Sequence, residues 1–298
     1  MNKNDLFQSF GAIDDDILAR SEVAAPYNRK PVWLKWGTLA ACFVLVIAAS
    51  VIGSHIQSPD PIAPITQINV ASDSPTGISK YLNYNGCRYR FIENGSTFAL
   101  DQNFLAEPLG TLEYDITADP KAYGSKDYAT TFAQGGTIYE MQSYDPAFRV
   151  AVELNGQFYI CENVDNSDGS DVDVTAYFEA ANFKETVTEI SVYDHFGREE
   201  LTRLSGKNVI RMIEVLSEVT PAVLSNDDYS EIGKAQKSGE SFLLVFHLAD
   251  TTRYQMYVIP SLSIAMIGNN RYILTDEFHN AFDATFAGLN QNVAQQYH

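Results

Sequence analysis

The chain has 298 residues, of which 45% are hydrophobic and 19% charged, with 17 Tyr and 17 Phe. That composition buries a core and excludes wholesale disorder. The 38 acidic against 20 basic residues give a net charge of −18, which excludes a general nucleic-acid binder, because neutralising phosphates needs Lys and Arg. Three cysteines exclude a disulfide-built scaffold and a Cys-rich zinc module.

Residues 1–30 read as a short-helix tip, expected in the cytoplasm. Leu6, Phe7 and Phe10 recur at helical spacing, with Asn4 or Asp5 to cap and Gly11 to terminate. A second short helix follows, with Asp14 as N-cap, Ile13 packing back as a staple, and Ile17 and Leu18 on its apolar side. Two such helices cannot build a core alone. Leu6, Phe7, Phe10, Ile13, Ile17 and Leu18 are therefore the expected face for docking into a partner's groove. The plain alternative is an inert stub.

Residues 31–56 read as a transmembrane helix with a basic, Trp-bearing flank. Residues 37–53 carry no charge, and the stretch 36–56, at ~1.5 Å per residue, spans a hydrocarbon layer of ~30 Å. Trp33 and Trp36, beside Lys35, suit the headgroup zone as an anchor. Arg29, Lys30 and Lys35 lie before the run and no Lys or Arg follows until Lys80. The positive-inside bias then sets the N-terminus in the cytoplasm and the C-terminal region outside the cell membrane. A buried core helix would show a polar face, and a signal peptide would not begin with an acidic cluster. A lipoprotein cysteine would end the apolar run, whereas most of the run follows Cys42. Charges in residues 1–55 cancel, so the whole −18 belongs to residues 56–298, with 15 basic and 33 acidic groups.

The segments DLFQSFGAIDDDILAR and PVWLKWGTLAAC resemble the N-terminal part of single-pass membrane regulators of clostridial-type Gram-positive bacteria, some of them anti-sigma-factor-like. The resemblance covers roughly the first fifth of the chain. It implies a cytoplasmic segment that holds a sigma factor and an outer domain that senses. The His and paired Cys of the zinc-type anti-sigma module are absent from this segment, so no zinc mechanism is carried over.

Residues 57–77, with Pro59, Pro61, Pro64 and Pro75, read as a stiff stalk. Residues 78–164 read as a mostly β unit. A hairpin joins 81–84 to 87–92 through Asn85-Gly86, a strand covers 109–116, and a meander covers 137–144, 149–154 and 157–162. Residues 165–175 form an acidic loop. Its glycine falls one place late for a calcium hand, and Val174 stands where the closing glutamate belongs. Residues 176–298 read as an α+β unit. Expected here are a strand at 186–193, a helix from a Ser205 cap to 218, and strands at 242–248, 254–259, 263–267 and 271–274. A last helix capped by Thr275 or Asp276 carries Phe278, Phe282 and Phe286. The expected fold class is α+β: one transmembrane helix, then extracytoplasmic antiparallel sheets with a few packed helices.

Cys87 and Cys161 each follow a tight turn, and outside the membrane they are candidates for a disulfide; otherwise they are two buried thiols. No G-x-S-x-G, P-loop, H-E-x-x-H or G-x-G-x-x-G occurs. His279 and Asp283 read as a surface pair on the last helix. Asp194, Glu199 and Glu200 surround His195 as acid–base parts by composition only. The sequence therefore points to no enzyme, catalytic residue, metal, cofactor or nucleic acid. It points to a single-pass signalling or regulatory protein with an extracytoplasmic binding region and a tip for a cytoplasmic regulator such as a sigma factor. A surface binding protein without a signalling role is the alternative, and an extracellular enzyme is disfavoured.

Overall fold

A computed structural model describes residues 64–69, 79–100 and 103–289. The tip residues Leu6, Phe7, Phe10, Ile13, Ile17 and Leu18, the anchor Trp33, Lys35 and Trp36, and the stretch 36–56 lie outside the described residues. The expected fold class needs correction. The described residues form a mixed α+β fold with six α-helices, none long and apolar enough to cross a membrane. The longest has 13 residues, a rise of ~20 Å against the ~30 Å of a hydrocarbon layer.

The first ten strands in chain order make one sheet. They are β1 (Thr66–Asn69), β2 (Tyr81–Tyr84), β3 (Cys87–Phe91), β4 (Thr97–Ala99), β5 (Leu105–Thr111), β6 (Tyr114–Asp115), β7 (Ala129–Thr130), β8 (Thr137–Met141), β9 (Arg149–Leu154) and β10 (Gln157–Asn166). They run in the order β5-β8-β9-β10-β3-β2-β7-β6, with β4 pairing to both β10 and β1. Only β6 and β7 pair in parallel. The turns Asn85-Gly86 and Asn155-Gly156 have both central residues at positive φ, the turn whose twist matches antiparallel strands. They set the registers of β2 on β3 and of β9 on β10.

The second sheet comprises β11 (Val187–Asp194), β12 (Glu200–Ser205), β13 (Thr220–Pro221), β14 (Phe242–Leu248), β15 (Arg253–Ile259), β16 (Ile264–Ile267) and β17 (Asn270–Ile273). Its order is β12-β11-β14-β15-β16-β17-β13, antiparallel throughout. The helices are α1 (Pro120–Tyr123), α2 (Val174–Ala180), α3 (Phe183–Thr186), α4 (Lys207–Ser217), α5 (Asn226–Ser238) and α6 (Asp276–Ala287). α4 starts at Gly206 without a side-chain cap, not at a Ser205 cap. Its buried stripe is Val209, Met212, Ile213, Val215 and Leu216, while Ile210 is 38% exposed. Thr275 caps α6 through the Phe278 N–H, and Phe278, Phe282 and Phe286 are buried.

One continuous core joins the two sheets. Phe98, Phe148, Ala151 and Ile160 from the first half pack with Ile190, Phe246, Tyr254, Leu216 and the α6 phenylalanines. Phe148 is its hub. Its ring meets Tyr144, Tyr177, Phe183 and Tyr254 edge-on at centroid distances of 5.2, 5.3, 5.3 and 5.9 Å, the favoured geometry for ring quadrupoles. A second cluster holds Leu82, Tyr89, Phe91, Ile138, Val150, Val152 and Cys161. α5 buries only Ile232 and Ala235, against Ile259, Ile264 and Met266.

Cys87 and Cys161 are both free thiols, which corrects the candidate disulfide. Their strands are neighbours, but Cys161 stands opposite Phe91 while Cys87 stands opposite Asn166. The register separates them along the ladder, and burial raises the pKa of each.

Candidate functional site

Beyond β3 the chain makes a tight turn in which Glu93, Asn94 and Gly95 take φ of 45, 53 and 76° in succession. Left-handed backbone costs an L-residue about 1–2 kcal/mol, and such strain concentrates at functional positions. Hydrogen bonds hold the turn. Gly95 N–H donates to the Ile92 carbonyl at 2.9 Å, and Ser96 donates to the Glu93 carbonyl from N–H at 3.1 Å and from Oγ at 2.7 Å. Lys80 Nζ donates to the Asn94 carbonyl at 2.9 Å and sits 4.5 Å from the Phe132 ring centre. A Cβ on Gly95 would stand 2.8 Å from Lys80 Cδ, so glycine lets the lysine stem cross the turn.

The turn between β14 and β15 faces this one. It clasps the start of the described chain: Ile65 N–H donates to the Asp250 carbonyl at 2.7 Å, and Thr251 Oγ1 donates to the Ile65 carbonyl at 2.8 Å. It leads into Arg253 and Gln255 of β15. Between the two turns lies a cavity of about 320 Å³ whose lining includes Lys80, Arg90, Ile92, Glu93, Glu162, Arg253 and Gln255. An adjoining cavity of about 250 Å³ adds Ile65, Gln67, Phe98, Thr251 and Thr252. Ile92, Glu93 and Arg253 line both, so the two make one trough.

Its floor is ionic and closed. Arg149 on β9 is 0% exposed, and its Nε and Nη2 donate to Glu162 Oε2 at 3.2 and 2.7 Å. Nη1 donates to Thr252 Oγ1 at 2.6 Å, and Nη2 to the Arg253 carbonyl at 2.8 Å. Asp250 accepts from the Thr252 N–H and hydroxyl on one oxygen and from Tyr144 OH, at 2.6 Å, on the other. Burial opposes the Arg149 charge, but Glu162, Tyr144 and Asp250 together outweigh it and hold the guanidinium pKa above the usual arginine value. Burial, with the Asp250 charge behind it, pushes the Tyr144 hydroxyl up, so it donates rather than ionises. This network ties β9 and β10 of one sheet to the entry of β15 in the other.

The rim differs. Arg90 Nη2 lies 3.8 Å from Glu162 Oε1 and is half exposed. Among the described residues the Glu93 carboxylate and the Arg253 guanidinium have no hydrogen-bond or ion-pair partner, and they do not pair with each other.

Elsewhere, Ser263 Oγ lies 3.0 Å from His279 Nε2, and His279 Nδ1 lies 2.8 Å from Asp283 Oδ1. That connectivity matches a nucleophile, base and orienting carboxylate. However, Asp283 is 57% exposed. The cavity of about 350 Å³ beside it is lined by Glu240, Phe242, Pro260, Ser261, Asp283, Phe286 and Ala287. A substrate there would meet the carboxylate end of the relay and neither Ser263 nor His279. Ser191–His247 at 3.0 Å and Ser241–His195 at 2.9 Å carry no carboxylate on the second ring nitrogen. Asp194 spends one oxygen on the Arg198 and Glu199 N–H groups, and Glu200 binds Arg203 and Tyr193. In the expected acidic loop, Asp165 and Asn166 extend β10, Asp168 accepts from Ser170, and Asp173 caps α2. Among the described residues no three His, Cys, Asp or Glu side chains cluster as metal ligands.

Sequence reasoning missed Lys80, Arg90, Glu93, Arg149 and Arg253. The available signal was Glu93-Asn94-Gly95, a turn triplet, just after Lys80, Arg88 and Arg90, a local run of basic residues in an acidic chain. No protein-family model, curated protein or solved structure matches this chain.

Proposed function

We propose that this chain is a signalling or regulatory protein that binds a ligand in the trough and docks a cytoplasmic regulator, such as a sigma factor, through Leu6, Phe7, Phe10, Ile13, Ile17 and Leu18. In this reading it acts at the cell membrane, with the N-terminus in the cytoplasm and the acidic globular part outside. It is a binding protein, not an enzyme. The observation that carries the reading is the trough, lined by Glu93 and Arg253, opposite charges without an ion-pair partner among the described residues, at two sheets joined by Arg149. A ligand that engages both sides changes the coupling of the sheets, which is what a sensor needs. The tip rests on sequence: six apolar side chains in a segment too short for a core.

The test replaces residues 1–30 with an unrelated basic leader in the full chain and follows the regulator's output in cells. Loss of the response with the globular part still displayed supports signalling. A retained response identifies a surface binding protein without that role. Protease added to intact cells should remove the globular part; survival of that part until lysis defeats the topology.

A further inference from the structure

We infer that the trough takes a small zwitterion of the α-amino-acid class, its carboxylate on Arg253 and its ammonium on Glu93. This rests on the reading of the trough as a binding site and adds the class of ligand. Glu93 and Arg253 line both cavities, carry opposite charge, and are each without a partner among the described residues. They form no ion pair with each other, so both charges stay available to one molecule that carries both. An α-amino acid holds the two charges one carbon apart. The Arg253 guanidinium offers a planar fork that matches a carboxylate, and the half-exposed Arg90 beside Glu162 and the Lys80 ammonium on the Asn94 carbonyl line the same cavity. Glu93 supplies the acceptor for the ammonium, from a turn already held in the left-handed region.

Simpler ligands fit less well. A plain anion would bring its charge against Glu93, a like-charge repulsion that a zwitterion turns into attraction. A plain cation would meet Lys80, Arg90 and Arg253. The whole molecule carries −18, which repels anions at long range, whereas a zwitterion of zero net charge approaches without that barrier. The cavity of about 320 Å³ stands at the small end of ligand sites, ~300–1,000 Å³, and the adjoining one of about 250 Å³ extends it. Ile65, Ile92 and Phe98 give an apolar wall to the second cavity, where the amino acid's side chain would lie.

The test is calorimetric titration of the full chain with individual L-α-amino acids, each compared with its N-acetyl form and its methyl ester. At least one free amino acid should bind, with its N-acetyl and ester forms weaker by about tenfold or more. Arg253→Gln and Glu93→Gln should each weaken it by about tenfold or more, while Arg203→Gln, on β12 outside the trough, should leave it unchanged. Both trough positions are exposed, so unchanged melting of the unliganded variants separates lost binding from lost folding. Absence of binding by every free amino acid overturns the inference. So does equal binding of the N-acetyl form, or binding that survives Glu93→Gln. Such a result with the tip replacement still abolishing the cellular response would remove the ligand class and leave the signalling reading standing.

Discussion

The floor and the rim of the trough use the same residue types to opposite ends. On the floor, Arg149 and Glu162 are 0% and 4% exposed at the side chain, and every guanidinium nitrogen is bonded, to Glu162, Thr252 or the Arg253 carbonyl. At the rim, Arg253 and Glu93 face water without protein partners among the described residues. A buried charge must be paired or it unfolds the protein, so the floor spends its charges on holding two sheets together. An exposed charge costs little when left open, so the rim keeps its charges for something that arrives.

The contrast breaks most visibly at Arg149. Arg149→Met strands Glu162 in the interior and should cost about 3–5 kcal/mol in denaturant unfolding, whereas Arg149→Met combined with Glu162→Leu should recover much of it. Recovery that fails would show that the pair also fixes the register between sheets. Next is Gly268, at φ 57°, where an added Cβ would overlap the Val164 carbonyl from the end of β10. Gly268→Ala should destabilise by about 2 kcal/mol or more, through both strain and collision. Gly95→Ala, at φ 76° against Lys80 Cδ, should cost about 1 kcal/mol and also displace Lys80, which an altered ligand affinity would report.

A smaller effect follows from pH. Burial is the main reason that His195 and His247 have pKa values below their ordinary 6.5; Asp194 partly opposes it at the first, and Arg253 adds to it at the second. The unfolded chain therefore takes up protons before the folded one does. Stability should be full above about pH 6.5 and decline as the pH falls below it, and His247→Gln should flatten that slope in melts across pH. The smallest effect belongs to the rim: Arg253→Gln should change unliganded stability by less than about 0.5 kcal/mol. A large loss there would erase the distinction between floor and rim.

Much of the fold is written locally. The Asn-Gly pairs announce their hairpins, the 149–154 and 242–248 strands fall at their observed limits, and Thr275 with three phenylalanines specifies α6. α5 was not legible because it is polar nearly all round, and its two buried residues matter only once β16 is beside them. α2 was hidden for a related reason: Asp173 reads as one more acidic loop residue until it is seen accepting the Ala176 N–H. Arg149 opens an alternating strand and reads as its solvent end, yet it lies on the face shared with Ala151, where the second sheet covers it. The cysteines were legible as strand neighbours but not in register, since only the pairing of β10 on β3 decides that. The trough itself joins residues 79–94 to residues 251–255, and no local pattern carries a contact of that span.

The grip of Thr251 and Asp250 on Ile65 has a mechanical consequence. Force travelling down the backbone from the leading end enters the β14–β15 turn, and Arg253 follows that turn two residues later. A load applied at Ile65 is therefore borne first by the backbone of the turn that delivers Arg253 to the trough.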